Sequence, residues 1–310
     1  MGSSVLTPFA ELGAFRPTDA APPVAAAGLD PGQPDPGELD LDEIVAFYRR
    51  YGFVILRDVL GEPLTTQIET ECAAAQAGVL SGGLPARHGS TQYLDDAGKA
   101  ARFVNYVEHV EELAPSVRAA AAHPVLVDVV RNLIGPGAGP GIWLNDSDKA
   151  GIIYQDARPG RESGYSRIGW HSDWQAMPSL DIWPGLAFTI HIDATSPANG
   201  FLRMVPGSHQ WATPAPYRNI NGVAVPADAR PACGYTDTPP PFEMPLGFEK
   251  VPGEIAVYAD RGDVLLHDAY TWHAAARATD DSAVRRHVRG SYLAGDESSY
   301  RPQFVKNAAR

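Results

Sequence analysis

From Gly135 onward the chain is cut into short apolar or alternating runs, GIWL, GIIYQ, LAFTIHI, EIAVYA, DVLLH and RGSYL, separated by Gly, Pro, Asn and Asp. Strands this short bury an apolar face only against a second sheet, so their succession predicts a barrel or a two-sheet jelly roll. No self-similarity with a period of roughly 20 to 50 residues is visible, which excludes solenoids and propellers. Upstream the texture is helical. In LDLDEIVAFYRRYGFVIL, Asp40 and Glu43 mark a helix start, Leu41, Ile44, Val45 and Tyr48 recur at helical spacing, and Gly52 releases the chain into the apolar run FVIL. A second helix is expected from Pro63 towards Gly78, and a third helical region from Glu111 to Ile134, interrupted at His123-Pro124. The stretch from Pro17 to Gly37 is dense in Pro, Ala and Gly and has no amphipathic period. The expected organisation is a loose arm over 1–38 and one domain over 39–310, helical over 39–135 and jelly roll over 136–295. Such a chain is mainly β with flanking helices.

A chain of 310 residues with 44% hydrophobic content buries a sizeable core. Its formal net charge of -12 argues against nucleic-acid and membrane-surface partners, which are themselves anionic, and leaves a small molecule as the expected partner. Cys72 and Cys233 stand far apart in unlike contexts, so no disulfide framework or paired-thiol metal site is expected. No apolar run reaches the length of a membrane span, and the first residues, MGSSVLTPFAELGAF, lack the basic and apolar regions of a signal peptide. A soluble cytoplasmic protein is expected.

The chemistry concentrates at GWHSDW, where His171 and Asp173 stand two residues apart between two indoles. On a strand, side chains at i and i+2 share a face, so this pair can grip one ion. A mononuclear Fe(II) oxygenase needs two imidazoles and one carboxylate on one face of the metal. The second imidazole is expected in GDVLLHDAYTWHAAARA, about a hundred residues on, which offers His273 and His267. His273, just before AAARA, is the better placed. His191-Ile192-Asp193 is a second His-x-Asp; LAFTIHID reads as an interior strand, with Asp193 turning the chain. Lone His88, His109, His123 and His209 are expected to pack or face solvent.

Taken in order, GFVIL after an amphipathic helix, WHSD, NGFLRMVPGSH, GDVLLHDAYTWHAA and RRHVRGSY resemble the phytanoyl-CoA hydroxylase family of Fe(II)/2-oxoglutarate dioxygenases, over roughly Leu39 to Leu293. The resemblance implies a double-stranded β-helix core of the cupin kind, with Fe(II) held by His171, Asp173 and His273. It further implies 2-oxoglutarate chelating the metal, with O2 as the other cosubstrate. It places an arginine beyond the distal histidine on the far carboxylate of 2-oxoglutarate; Arg285 or Arg286 serves here, and counting back from Tyr292 favours Arg285. A guanidinium offers a planar fork to a carboxylate and stays charged when buried. The competing reading makes Arg285, Arg286 and Arg289 a solvated basic strand edge. The family's halogenating members carry a small residue in place of the aspartate, so Asp173 implies hydroxylation or a related oxidation.

Ectoine hydroxylase is the instructive relative, since Tyr154-Gln155 resembles its strand leading to the metal motif, whereas WQAMPSLD after the motif departs from it. Gln155 and Trp174 are pocket candidates, and Thr189 is a candidate contact to 2-oxoglutarate. The segments Ser81 to Gly98 and Ala212 to Pro252 are too long for simple connections and are expected to cover the site and select substrate. The leading expectation is hydroxylation of an unactivated C–H bond of a small molecule, an amino-acid derivative or secondary-metabolite intermediate, with release of succinate and CO2. The alternatives are a non-oxidative cupin-type metal enzyme and a jelly-roll binding module without catalysis.

Overall fold

The structure is a computed structural model describing residues 41–93, 103–138, 151–156, 169–173, 185–212, 217–220, 223–226, 234–245, 247–276, 278–280 and 283–293. The expected arm, GIWL, Trp174 and Cys233 lie outside these residues. Helix α1 (Leu41–Tyr51) carries Asp42 and Glu43 in its first turn and Arg49 and Arg50 in its last, which complements the helix dipole. It buries Ile44, Phe47 and Tyr48. Helix α2 (Gly61–Leu80) buries Thr65, Ile68, Cys72, Ala75 and Val79, a stripe of helical spacing, and extends past the expected 63–78 at both ends. The third helical region breaks twice, into α3 (Val110–Leu113), α4 (Pro115–Ala121) and α5 (Pro124–Ile134). Both α4 and α5 open on a proline, which suits a first turn and cannot continue a preceding helix. Among the described residues no helix is long and apolar enough to cross a membrane.

The strands are β1 (Phe53–Leu56), β2 (Gly89–Tyr93), β3 (Phe103–Glu108), β4 (Gly151–Asp156), β5 (Gly185–His191), β6 (Leu202–Met204), β7 (Tyr217–Ile220), β8 (Val223–Pro226), β9 (Ile255–Val257), β10 (Val264–Asp268), β11 (His273–Ala275) and β12 (Val284–Leu293). One sheet runs β1-β10-β5-β12-β4-β3-β2, a second runs β11-β6-β9, and β7 and β8 form a hairpin. All pairings are antiparallel. Apolar residues of both sheets, such as Ile190 and Val264 on one and Met204 and Val257 on the other, share one core with α1, α2 and α5. This is the expected jelly roll.

Two expectations are corrected. FVIL forms the strand β1 expected after Gly52, but the region up to residue 135 holds further strands, because β2 and β3 also belong to the large sheet, and Gly89–Tyr93 within the presumed loop is a strand paired to β3. The run GSTQY is too polar to announce itself, and its partner supplies the ladder. The presumed cover over 212–252 likewise contains the β7–β8 hairpin.

Along β12 the alternation of a strand divides two environments. Val288 and Tyr292 point to the helix-covered face, where the Tyr292 hydroxyl donates to the Ala121 carbonyl at 2.7 Å. Arg285, His287, Arg289 and Ser291 point into a cavity between the sheets.

Helix α1 ends at Gly52, whose φ of +81° suits a residue without Cβ. A Cβ there would lie 2.5 Å from His209 Nδ1 and 2.6 Å from Thr271 Oγ1. The Gly52 carbonyl accepts from Asp268 N at 2.8 Å and Thr271 Oγ1 at 2.9 Å, docking the helix on the β10–β11 loop. Gly52→Ala should therefore cost about 2 kcal/mol or more, combining left-handed strain with a steric clash. Gly82→Ala, at φ +72° with nothing near its Cβ, should cost about 1 kcal/mol. Equal costs in urea unfolding would mean that the docking contact is not tight.

Candidate metal centre

His171 and His273 are joined through their backbones: His171 N donates to His273 O at 3.0 Å and His273 N to His171 O at 2.9 Å. This bridge adds the 169–173 segment to β11 and sets the two imidazoles side by side, 4.2 Å between centroids. Each Nδ1 faces a carbonyl two residues earlier, Gly169 O at 2.8 Å for His171 and Thr271 O at 3.0 Å for His273. A carbonyl only accepts, so each Nδ1 carries the proton and each Nε2 keeps a lone pair for a metal. Asp173 Oδ1 lies 3.9 Å from His171 Nε2 and 3.7 Å from His273 Nε2.

The donor atoms of His171, Asp173 and His273 all lie within 4.8 Å of one another. Strand alternation is not what aligns His171 with Asp173, because the chain leaves its single bridge at His171 and turns into helical conformation at Asp173. The turn swings the carboxylate beneath both imidazoles. A second group meeting the same distance test, His109, Glu111 and Glu112, sits at α3, away from the cavity.

Burial, with the neighbouring imidazoles, pushes His171 and His273 down to about 4, so both are neutral near pH 7, the form that binds a metal. Burial works against ionisation of Asp173, yet the surrounding His273, His267 and His171 and the Arg289 guanidinium hold its carboxyl below the ordinary value.

His267, the rival ligand, reaches the same cavity from the opposite sheet. Its Nε2 is 3.9 Å from Asp173 Oδ2, and its ring centroid is 4.5 Å from that of His273. It stands beside the carboxylate, outside the three-donor group. The alternative pair is drawn apart: His191 is buried at the end of β5, and Asp193 accepts from Arg286 Nε at 2.8 Å and Nη2 at 2.7 Å. His88, His109, His123 and His209 are all buried, so packing describes them and solvent exposure does not.

The loops carrying the donors are clamped by groups that sequence reasoning did not single out. Asp268 is buried and accepts from Tyr48 Oη at 2.9 Å, Tyr235 Oη at 2.8 Å and Tyr270 N at 2.9 Å; burial raises its pKa to about 6. Trp272 N donates to Ser208 Oγ at 2.8 Å, so the VPGSH turn supports the strand of His273. On the other side, Trp170 Nε1 donates to Glu249 O at 2.8 Å, and Arg203 lies over the indole at 4.8 Å while pairing with buried Glu254. NGFLRMVPGSH was legible as a motif, but the long-range partners of Arg203 were not.

The cavity is about 80 Å³ and is lined by the three donors together with Thr189, His267 and Arg285, among others. Arg285 is only 4% exposed, and its Nε has no hydrogen-bond partner among the described residues. Burial lowers its pKa to about 10, so it stays charged. This overturns the solvated-edge reading for Arg285, since β12 lies between β5 and β4. Arg286 points outward and is tied to Asp193 and Glu69. Gln155 pairs with Arg285 in register across β4 and β12. Trp174 lies outside the described residues.

A buried cation lining the same cavity as three convergent donors fits a metal chelated by a dianionic ligand. The donor set, two neutral imidazoles and one carboxylate, is the set that suits Fe(II) with open positions.

The chain matches the phytanoyl-CoA dioxygenase (PhyH) family over residues 48–288. No curated protein sequence matches it significantly. Among solved structures, AviO1 from Streptomyces viridochromogenes Tue57 has a TM-score of 0.55 at 19% identity, covering 84% of this chain and 97% of that one. EctD from S. alaskensis with 2-oxoglutarate and 5-hydroxyectoine has a TM-score of 0.52 at 17% identity, covering 92% and 88%. The epimerase SnoN in complex with Fe3+, alpha ketoglutarate and nogalamycin RO has a TM-score of 0.51 at 18% identity, covering 82% and 83%. At these identities the likeness is one of fold, the double-stranded β-helix expected from the sequence.

Loss of a group beside a metal ligand typically weakens metal binding about 10–100-fold, so loss of a ligand should exceed about a hundredfold. His171→Ala, Asp173→Ala and His273→Ala should each fall in that range for Fe(II), titrated without oxygen. His267→Ala and His191→Ala should keep most of the metal. Retention of full affinity by His273→Ala with loss in His267→Ala would exchange the two histidines.

Proposed function

Since the chain belongs to the phytanoyl-CoA dioxygenase family, we propose that it is an Fe(II)- and 2-oxoglutarate-dependent oxygenase that hydroxylates an unactivated C–H bond of a small molecule, releasing succinate and CO2. The single observation that carries this reading is Arg285: a buried cation at the end of the cavity that holds the three donors. A non-oxidative cupin-type reaction, or a binding role alone, gives that charge no use.

When bound, Fe(II) would activate O2, the oxidant, with 2-oxoglutarate supplying two electrons as it is decarboxylated to succinate and CO2 and the substrate C–H bond supplying the other two. His171, Asp173 and His273 would hold the metal, with the two imidazoles and the carboxylate as its protein donors. Arg285 receives the distal carboxylate through a charge-assisted fork in a desolvated pocket. Thr189, on the cavity wall, offers a hydroxyl to the same ligand. The neutral imidazoles and the ionised Asp173 require no proton movement before metal binding. Gln155 and Trp174 remain candidates for the substrate side. SnoN is an epimerase on this fold, so the outcome depends on where the substrate carbon is held; Asp173, in place of the small residue of the family's halogenating members, argues against halogenation and for hydroxylation or a related oxidation.

A panel of small-molecule substrates scored for succinate formed above the uncoupled background, with mass spectrometry for a product heavier by one oxygen, tests the reading. An isomerised product would replace hydroxylation by epimerisation. Arg285→Ala should raise the 2-oxoglutarate requirement about ten- to hundredfold, the worth of a desolvated hydrogen bond to a charged group, with Fe(II) affinity nearly unchanged. Arg286→Ala should leave that requirement alone, because its guanidinium is engaged on the outer face. A large effect in Arg286→Ala with none in Arg285→Ala would turn the face of β12 over.

A further inference from the structure

Next to Arg285, on the same face of β12, is His287, which lines the cavity. Directly across the ladder from it in β5 is His191, with ring centroids 6.1 Å apart. Both rings are buried, at 8% and 5% exposure. Among the described residues, Nδ1 of His287, both ring nitrogens of His191 and Nε of Arg285 have no hydrogen-bond partner. Four unpartnered nitrogens in one buried cluster are more than a folded chain leaves by accident, since buried polar groups are nearly always paired. Each neutral imidazole offers one N–H and one lone pair while Arg285 only donates, so the cluster has more donors than acceptors.

Resting on the oxygenase reading above, we propose that His287 is a second donor to the distal carboxylate of 2-oxoglutarate beside Arg285, and that His191 is a positioning residue behind it. A carboxylate supplies up to four lone-pair directions, enough for the Arg285 fork and an imidazole N–H together. His191 does not line the cavity and so acts through His287, filling the space across the ladder with a polar ring. Burial, reinforced by the Arg285 charge, keeps both imidazoles neutral, His191 down to about 3. Arg285 and His287 together therefore offer one fixed positive charge and a neutral donor to one carboxylate, with Arg289 at the next inward position of the strand beyond His287.

The test compares two 2-oxo acids of five carbons, 2-oxoglutarate and 2-oxopentanoate, the second carrying a methyl group where the first carries its distal carboxylate. Binding is measured by calorimetry to the Fe(II)-loaded protein without oxygen. His287→Phe should weaken 2-oxoglutarate about ten- to hundredfold and leave 2-oxopentanoate unchanged. His287→Asn, which keeps an N–H donor, should lose less than His287→Phe, and His191→Phe should also lose less, again for 2-oxoglutarate alone. The metal-free His287→Phe protein should melt no lower than the parent, since it removes an unpartnered buried polar group. Equal weakening of both acids, or unchanged 2-oxoglutarate binding in His287→Phe, would overturn the assignment while leaving the oxygenase reading in place. A parent protein that binds Fe(II) but not 2-oxoglutarate would overturn both.

Discussion

Two backbone hydrogen bonds, exchanged between His171 and His273, hold the site together. They join the 169–173 segment, which belongs to no named strand, to the edge of a three-stranded sheet. Because they fix the two backbones opposite each other, the imidazoles have to lie side by side. Because each Nδ1 then finds a carbonyl two residues back on its own segment, the opposite nitrogen of each ring is turned to the same point. No side-chain interaction has to be strong for this to happen. The supporting contacts, Ser208 under Trp272 and the Arg203–Glu254 pair under Trp170, keep the two segments from sliding.

The large sheet solves a different problem, which is to put charge inside a barrel without losing the core. Strand β12 does so by strict alternation. Its outward residues Val288 and Tyr292 join the apolar layer beneath the helices, while its inward residues carry the cavity's polarity. Burying a guanidinium whose Nε has no partner among the described residues is costly, and the ladders to β4 and β5 on both sides hold the strand that carries it in place. The adjacent Arg286, on the other face, is spent on an ion pair with Asp193 and Glu69.

What the sequence made legible follows from how local each signal is. Period-two apolar runs such as LAFTIHI and DVLLH announce strands because burial on two sheets acts residue by residue. GWHSDW announces a metal motif because its two donors are neighbours in the chain. The turn at Asp173 was not legible, since His-x-Asp on a strand and His-x-Asp at a strand end look alike until the pairing is known. Strand β2 escaped because GSTQY owes its conformation to β3 rather than to its own apolar content. Counting back from Tyr292 favoured Arg285 over Arg286, but its burial between two strands depends on the register with Gln155 and Thr189 in distant parts of the chain. His287 gave no signal at all: its meaning lies in its position beside Arg285 and across from His191.

The docking of α1 on the β10–β11 loop carries a consequence for cooperativity. Tyr48 and the Gly52 carbonyl hold the two ends of the same DAYTW segment that leads into His273. Undocking the first helix therefore releases a metal ligand, and anything bound at the donors resists that undocking by mass action. The helix and the metal loop form one opening unit, so amide protons of α1, far from the donors in sequence, exchange at a rate governed by occupancy of the centre.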